Sequence, residues 1–114
     1  MSTISTHVMD TAMGRPAAGV RVTLERVGDT DAAVSLGSGT TDDDGRLREL
    51  VASGVSLGEG VYQLRFAVDE YFGRTGREAF YPEVVVVFRV TPSDEHYHVP
   101  VLLSPFGYST YRGS

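Results

Sequence analysis

The sequence predicts an all-β fold, a two-sheet antiparallel sandwich of about eight short strands with one short helix, and three observations carry that expectation. Apolar and polar residues alternate with a period of two along most of the chain, the pattern of strands that bury one face. Turn-forming residues punctuate those runs at the spacing a sandwich requires. Only the stretch from Val68 to Gly76 reads as helical, for roughly two turns.

Taken in order, Ile4 to Asp10 reads as the first strand, closed by the turn-prone Gly14-Arg15-Pro16. From Val20 to Val27, Val20, Val22 and Leu24 alternate with Arg21, Thr23 and Glu25, marking a half-buried strand. Gly28 to Asp31 makes a turn, and Val34 to Thr41 is a weaker, glycine-containing strand. Asp42-Asp43-Asp44-Gly45 is an acidic turn, with Gly45 at the position that needs a positive φ, and it leads into Arg46 to Leu50. Gly60 to Val68 alternates again, with Tyr62, Leu64, Phe66 and Val68 on one side. Glu83 to Val90 is a valine-rich strand ended by Pro92, His96 to Leu103 is another, and a last strand runs toward Tyr111. The final strand carries Tyr108, Tyr111 and few charges, so an open sheet edge there predicts self-association.

The chain has 114 residues, room for one domain spanning 1–114. The absences narrow the chemistry. No Cys is present, which excludes disulfides, thiolate nucleophiles and cysteine zinc sites. All 10 basic residues are Arg, which removes Schiff-base chemistry and the lysine of a phosphate loop. With a net charge of −5 and no basic cluster, nucleic acid is not the expected partner. The longest apolar run, Val84 to Phe88, has strand length, so no membrane span is expected. The N-terminal residues Met1 to His7 lack the basic start and apolar core of a signal peptide, and the expected compartment is the cytoplasm.

Five features bear on function. Gly54-Val55-Ser56-Leu57-Gly58 fits the serine-hydrolase G-x-S-x-G pattern, but that elbow belongs to a larger α/β sheet, so a loop coincidence is the better reading. The acidic run at 42–45 lacks the ligand spacing of a calcium loop. His96-Tyr97-His98 places two imidazoles on one face of a strand and Tyr97 on the other. Zinc would need a third ligand, and His7 is the only other His; the remaining readings are two solvated or capping imidazoles, or general acid–base work near neutral pH. Arg46 is either a surface partner of the Asp run or an anion clamp whose planar fork matches carbonyl and enolate oxygens. Tyr108 to Ser114 is either a frayed tail or an ordered edge strand that delivers the chain end into a site.

Together these pieces resemble the transthyretin-like family. Thr6 to Val20 is similar to its N-terminal signature, Thr41-Asp-Asp-Asp-Gly-Arg46 to the segment bearing its functional Arg, and His96-Tyr-His-Val-Pro-Val-Leu-Leu-Ser-Pro105 with the closing Tyr-Arg-Gly-Ser114 to its enzyme branch, which hydrolyses 5-hydroxyisourate in urate breakdown. The hormone carriers of the family lack the His pair and the terminal tetrapeptide. The resemblance implies an eight-stranded sandwich whose edge strands pair into dimers, and two dimers that stack into a homotetramer with active sites in a central channel. It implies His7, Arg46 and His98 as catalytic residues and Tyr111, Arg112, Gly113 and Ser114 as the rest of the substrate pocket, with no metal and no cofactor. A carrier that binds without turnover and a structural scaffold are the rival readings; the carrier has no need of two imidazoles and an Arg, and the scaffold would usually sit outside the cell, for which no export signal is seen.

Overall fold

The computed structural model describes residues 3–28, 33–51, 57–92 and 95–113. Among them run nine strands and one helix: β1 (Thr3–Asp10), β2 (Arg15–Pro16), β3 (Arg21–Val27), β4 (Ala33–Thr40), β5 (Arg46–Leu47), β6 (Gly60–Phe66), α1 (Val68–Arg74), β7 (Val84–Val90), β8 (His96–Ser104) and β9 (Gly107–Thr110). Two of the nine, β2 and β5, are two-residue strands, and both lie along one side of β1.

The strands form two sheets. The first has the order β2-β1-β8-β9, with β5 also on β1; the second has the order β4-β3-β6-β7. Every pairing is antiparallel except one, β1 with β8, which is parallel. The departure from a wholly antiparallel sandwich has a topological cause. A parallel pair needs a long crossover, and here the whole second sheet lies between β1 and β8 in the chain.

The core lies between the sheets and is built by the alternation seen in the sequence. Ile4, Val8, Val99, Val101 and Leu103 face inward from the first sheet. Val22, Leu24, Tyr62, Leu64 and Phe66 meet them from the second. Fully burying each aliphatic or aromatic side chain contributes about 1.5–3 kcal/mol relative to exposure. Helix α1 closes one end with Val68, Tyr71 and Phe72. The other faces of β1 and β8 point away from this core, and Thr3, Ser5, His7, His96 and His98 gather there. No described helix is long and apolar enough to cross a membrane.

The edges formed by β7 and β9 stay open. Among the described strands β7 pairs only with β6, and β9 only with β8. Between them runs a groove of about 290 Å³, lined by Val86 to Arg89 on β7 and by Tyr97 to Val99 and Thr110 to Arg112 on the other sheet. Val87 is 59% exposed and Tyr111 58%.

Candidate active site

The acidic turn after β4 shows how one segment aims a functional residue. Asp42 Oδ1 accepts the backbone N–H groups of Asp44 and Arg46, both at 2.9 Å. The Arg46 N–H, then that of Asp44, holds the Asp42 carboxyl below its ordinary range. Gly45 has φ +76°, and a Cβ there would lie 2.4 Å from the Val8 carbonyl oxygen, so only glycine lets the turn close against β1. This close approach puts β5 in register with β1, with Arg46 opposite His7. The Asp42 carboxylate is thereby spent on backbone hydrogen bonds. Among the described residues no carboxylate forms an ion pair with the Arg46 guanidinium.

The parallel ladder of β1 and β8 sets Thr3 opposite His96, Ser5 opposite His98 and His7 opposite Pro100. Tyr97 turns into the core and both imidazoles turn outward, as alternation requires. Ser5, only 7% exposed, sits under both rings. Its Oγ lies 2.7 Å from His98 Nδ1 and 2.8 Å from His96 Nε2, and Thr3 Oγ1 is 2.5 Å from His96 Nδ1. The result is a chain of hydrogen bonds, Thr3–His96–Ser5–His98. No described residue bonds Nε2 of His98. A cleft of about 340 Å³ opens over this array, lined by Ser5, Thr6, Arg46, Arg48, His96 and His98.

Burial, and then the positive charges possible on His96, His7 and Arg46, push the His98 pKa below the usual imidazole value. At neutral pH this ring is therefore uncharged, the state a general base requires. His7 bonds through Nε2 to the Asp44 carbonyl oxygen at 2.9 Å. A carbonyl only accepts, so Nε2 carries the proton and the lone pair of neutral His7 is on Nδ1.

The C-terminal segment is ordered against the site. The Gly113 N–H donates to the His98 carbonyl oxygen at 2.8 Å. A Cβ on Gly113 would sit 2.6 Å from His98 Cδ2, so the chain lies directly on the ring. Tyr111 projects outward, half exposed, beside the groove between the two sheets. The Arg112 guanidinium pairs with Glu95 at 3.1 Å and lies 4.8 Å from the Tyr97 ring centroid. Ser114 lies outside the described residues, as does the Gly54-Val55-Ser56 part of the serine-hydrolase-like motif. Among the described residues no group of three or more His, Asp or Glu is arranged to hold a metal ion.

His7, Arg46, His98 and Gly113 thus come from four parts of the chain to one sheet face. Ser5 and Arg48 join them without having been singled out in the sequence. Ser5 carries a signal, because it is two residues before His7 on a strand and so shares its face. Arg48 carries none, since nothing local shows that the segment after β5 turns toward β8.

Comparison with known proteins bears on this face directly. Residues 4–113 match the model of the HIUase/Transthyretin family. A 5-hydroxyisourate hydrolase of Caulobacter vibrioides is 44% identical over 118 residues, covering 100% of both chains. Among solved structures, that of Klebsiella pneumoniae 5-hydroxyisourate hydrolase superimposes with a TM-score of 0.85 at 38% identity, covering 100% of each chain. Sea bream transthyretin in complex with thyroxine superimposes equally well, with a TM-score of 0.89, but at 27% identity over 97% of this chain and 94% of that one. The backbone is common to hydrolase and carrier; the sequence likeness is greater to the hydrolases.

Proposed function

The chain belongs to the HIUase/Transthyretin family and is an enzyme of its 5-hydroxyisourate hydrolase kind, and from that premise we propose that it opens the ring of 5-hydroxyisourate in purine catabolism with His98 as general base, Arg46 as electrostatic clamp and His7 as the partner in proton transfer. The observation that carries the mechanism is an uncharged imidazole and a guanidinium without a described counter-ion over one cleft.

The substrate is a planar, electron-poor ring with an amide-like bond, and its hydrolysis needs a water molecule deprotonated and aimed at one carbonyl. His98 lines the cleft and its Nε2 has no described partner, so it can take that proton. Such base catalysis contributes typically ~10²–10⁴-fold. As the water oxygen attacks, the carbonyl oxygen gains negative charge, which Arg46 offsets more strongly than solvent would. His7 relays the proton that water gave up to His98: its Nδ1 lone pair accepts that proton and passes it to the departing ring nitrogen, so no net proton is gained or lost. Its anchorage to Asp44 fixes the ring orientation during that transfer. Gly113 lies against the His98 ring and Arg112 meets Glu95 and Tyr97, and with Tyr111 and Ser114 they make the proposed substrate-binding set. The route uses no metal or cofactor.

We propose further that the whole chain, 1–114, acts as one domain within a homotetramer. The open edges of β7 and β9, with exposed Val87 and Tyr111 beside them, favour strand-to-strand pairing of two copies. Two such dimers stacked through the outer faces of their first sheets would enclose the clefts in a channel.

The test is a coupled assay. Urate and urate oxidase generate 5-hydroxyisourate in place, and its absorbance decay is followed with and without the protein. Strong acceleration, lost in Arg46→Ala and His98→Asn, is the expected result. A folded protein that binds the compound without speeding its decay would be a carrier instead. Light scattering on the same sample reads the assembly, with four chains expected.

A further inference from the structure

We infer that Ser5 is a positioning residue for the hydrolysis, its hydroxyl holding His98, which lines the cleft, in the tautomer whose Nε2 is bare. The inference rests on His98 being the base, and it concerns how that base is kept ready.

A serine hydroxyl has one proton and so can donate to only one of two acceptors. Ser5 Oγ is within hydrogen-bond distance of two imidazole nitrogens, Nδ1 of His98 and Nε2 of His96. At least one of the two must therefore donate to Ser5. With both rings neutral and the Ser5 proton itself used in the chain, two arrangements satisfy it. In the first, His98 Nδ1–H donates to Ser5, Ser5 O–H donates to His96 Nε2, and His96 Nδ1–H donates to Thr3 Oγ1. Nε2 of His98 is then a bare lone pair. In the second every bond is reversed, His98 Nε2 carries the proton, and the ring has no base to offer.

The charges around the cleft favour the first arrangement. His98 is faced by His96 on its own strand, by His7 on β1, and by Arg46 and Arg48 from β5 and the segment after it. Two guanidinium groups attract a lone pair and repel an N–H pointed at them. Burial of Ser5 keeps water from replacing the hydroxyl as partner of Nδ1. Thr6, the next residue, takes no part, because its hydroxyl donates to the Val99 carbonyl oxygen at 2.7 Å. This wiring also separates the two imidazoles by role: both nitrogens of His96 are bonded, and one nitrogen of His98 is left for chemistry.

Histidine ¹⁵N correlation spectra of the folded wild-type protein near neutral pH read the arrangement directly. The expected spectrum shows His98 protonated at Nδ1 and bare at Nε2, with His96 also protonated at Nδ1. A His98 protonated at Nε2 would overturn the inference whatever the variants do. In Ser5→Ala, His98 should shift toward the Nε2–H tautomer, and kcat should fall about tenfold with KM changed by less than about twofold. Ser5→Thr, which returns the hydroxyl, should recover both the tautomer and the rate. A Ser5→Ala protein with wild-type kcat and wild-type tautomer, in an enzyme that His98→Asn inactivates, overturns the positioning role. A wild type inert toward 5-hydroxyisourate overturns the functional reading instead, and the spectrum still reports the bond, so the two failures are told apart.

Discussion

Strand β1 carries a polar cluster at each end, and the two differ in what they leave uncommitted. At Asp10, which is wholly buried, each carboxylate oxygen is occupied from inside the fold. The Met13 N–H donates to Oδ1 at 3.0 Å, the Tyr71 hydroxyl to Oδ2 at 2.7 Å, and Arg77 to Oδ2 at 2.6 Å. Burial pushes the Asp10 carboxyl up, but the hydrogen bonds from Arg77, Tyr71 and Met13 outweigh it and hold it below the ordinary value. Charge meets charge, and nothing faces solvent that could react. At the other end Ser5 and the two imidazoles are also bonded to one another, yet Nε2 of His98 and the guanidinium groups of Arg46 and Arg48 meet no described counter-ion and line a cleft. The same strand therefore offers a satisfied ion pair that stabilises and an unsatisfied cationic site suited to an electron-rich, developing oxyanion.

Breaking each cluster should separate the two roles. His98→Asn should lower kcat by ~10²–10⁴-fold while the thermal midpoint and the assembly stay as in the wild type. His96→Asn should be much milder, because the amide oxygen can still accept from Ser5; equal losses from the two variants would mean that the pair shares the chemistry. Arg77→Ala should do the reverse. It strands a buried carboxylate with Tyr71 and one backbone N–H, at a cost of about 2–3 kcal/mol. The guanidinium also packs 5.0 Å from the centroid of the Phe72 ring, so part of the loss is packing. Denaturant titration should show the shifted midpoint, with kcat of the folded enzyme kept.

How much of this was legible in the sequence differs between the same two ends. The strands themselves were, because the period-two pattern over Val20–Leu24 and Tyr62–Phe66 is local and states which residues are inside. So was the shared face of His96 and His98, and the positive φ of Gly45. The partner of His98 was not. Ser5 meets it across 93 positions of chain, through a parallel register that depends on how the whole second sheet folds between them. The Asp10 cluster was hidden for the same reason, since Tyr71 and Arg77 are 61 and 67 residues away. The partners of Arg112 were equally out of reach. Its position in the terminal tetrapeptide suggests the pocket, and no local pattern states that its guanidinium also meets Glu95 and the Tyr97 ring. Local periodicity tells which face a residue shares; only tertiary pairing tells what it meets there.

Acid should separate the two clusters along the pH axis. His98 has a folded pKa below its unfolded value, so the unfolded chain binds that proton more readily. Stability from this group is complete above the usual imidazole value near 6.5 and declines as pH falls through it toward the folded pKa. Activity follows the folded value itself: kcat/KM should hold below pH 6.5 and then drop about tenfold per unit as His98 becomes charged. Asp10 is likewise depressed, and its contribution stays intact until pH falls below 3.8 toward its folded value. A pH series of rate and of denaturation midpoint should thus show activity lost while the Asp10 cluster still holds. An acid limb of kcat/KM at or above the ordinary imidazole value would argue that His98 is not the base.

The smallest expected effect concerns the C-terminal segment, which touches the His98 end and leaves the other untouched. In Gly113→Ala the new methyl would fall 2.6 Å from His98 Cδ2 and 3.2 Å from Pro100 Cγ, too close for either to remain in place. The strand beneath is held by its ladder to β1, whereas the chain end beyond β9 is held by the Gly113–His98 bond and the Arg112–Glu95 pair. The tail should therefore yield before the sheet does. Turnover should fall a few-fold through a displaced wall and a slightly turned ring, at a stability cost under about 0.5 kcal/mol. Because the tail is what moves, KM should change more than kcat; a loss confined to kcat would mean that the methyl turned the imidazole and left the tail in place.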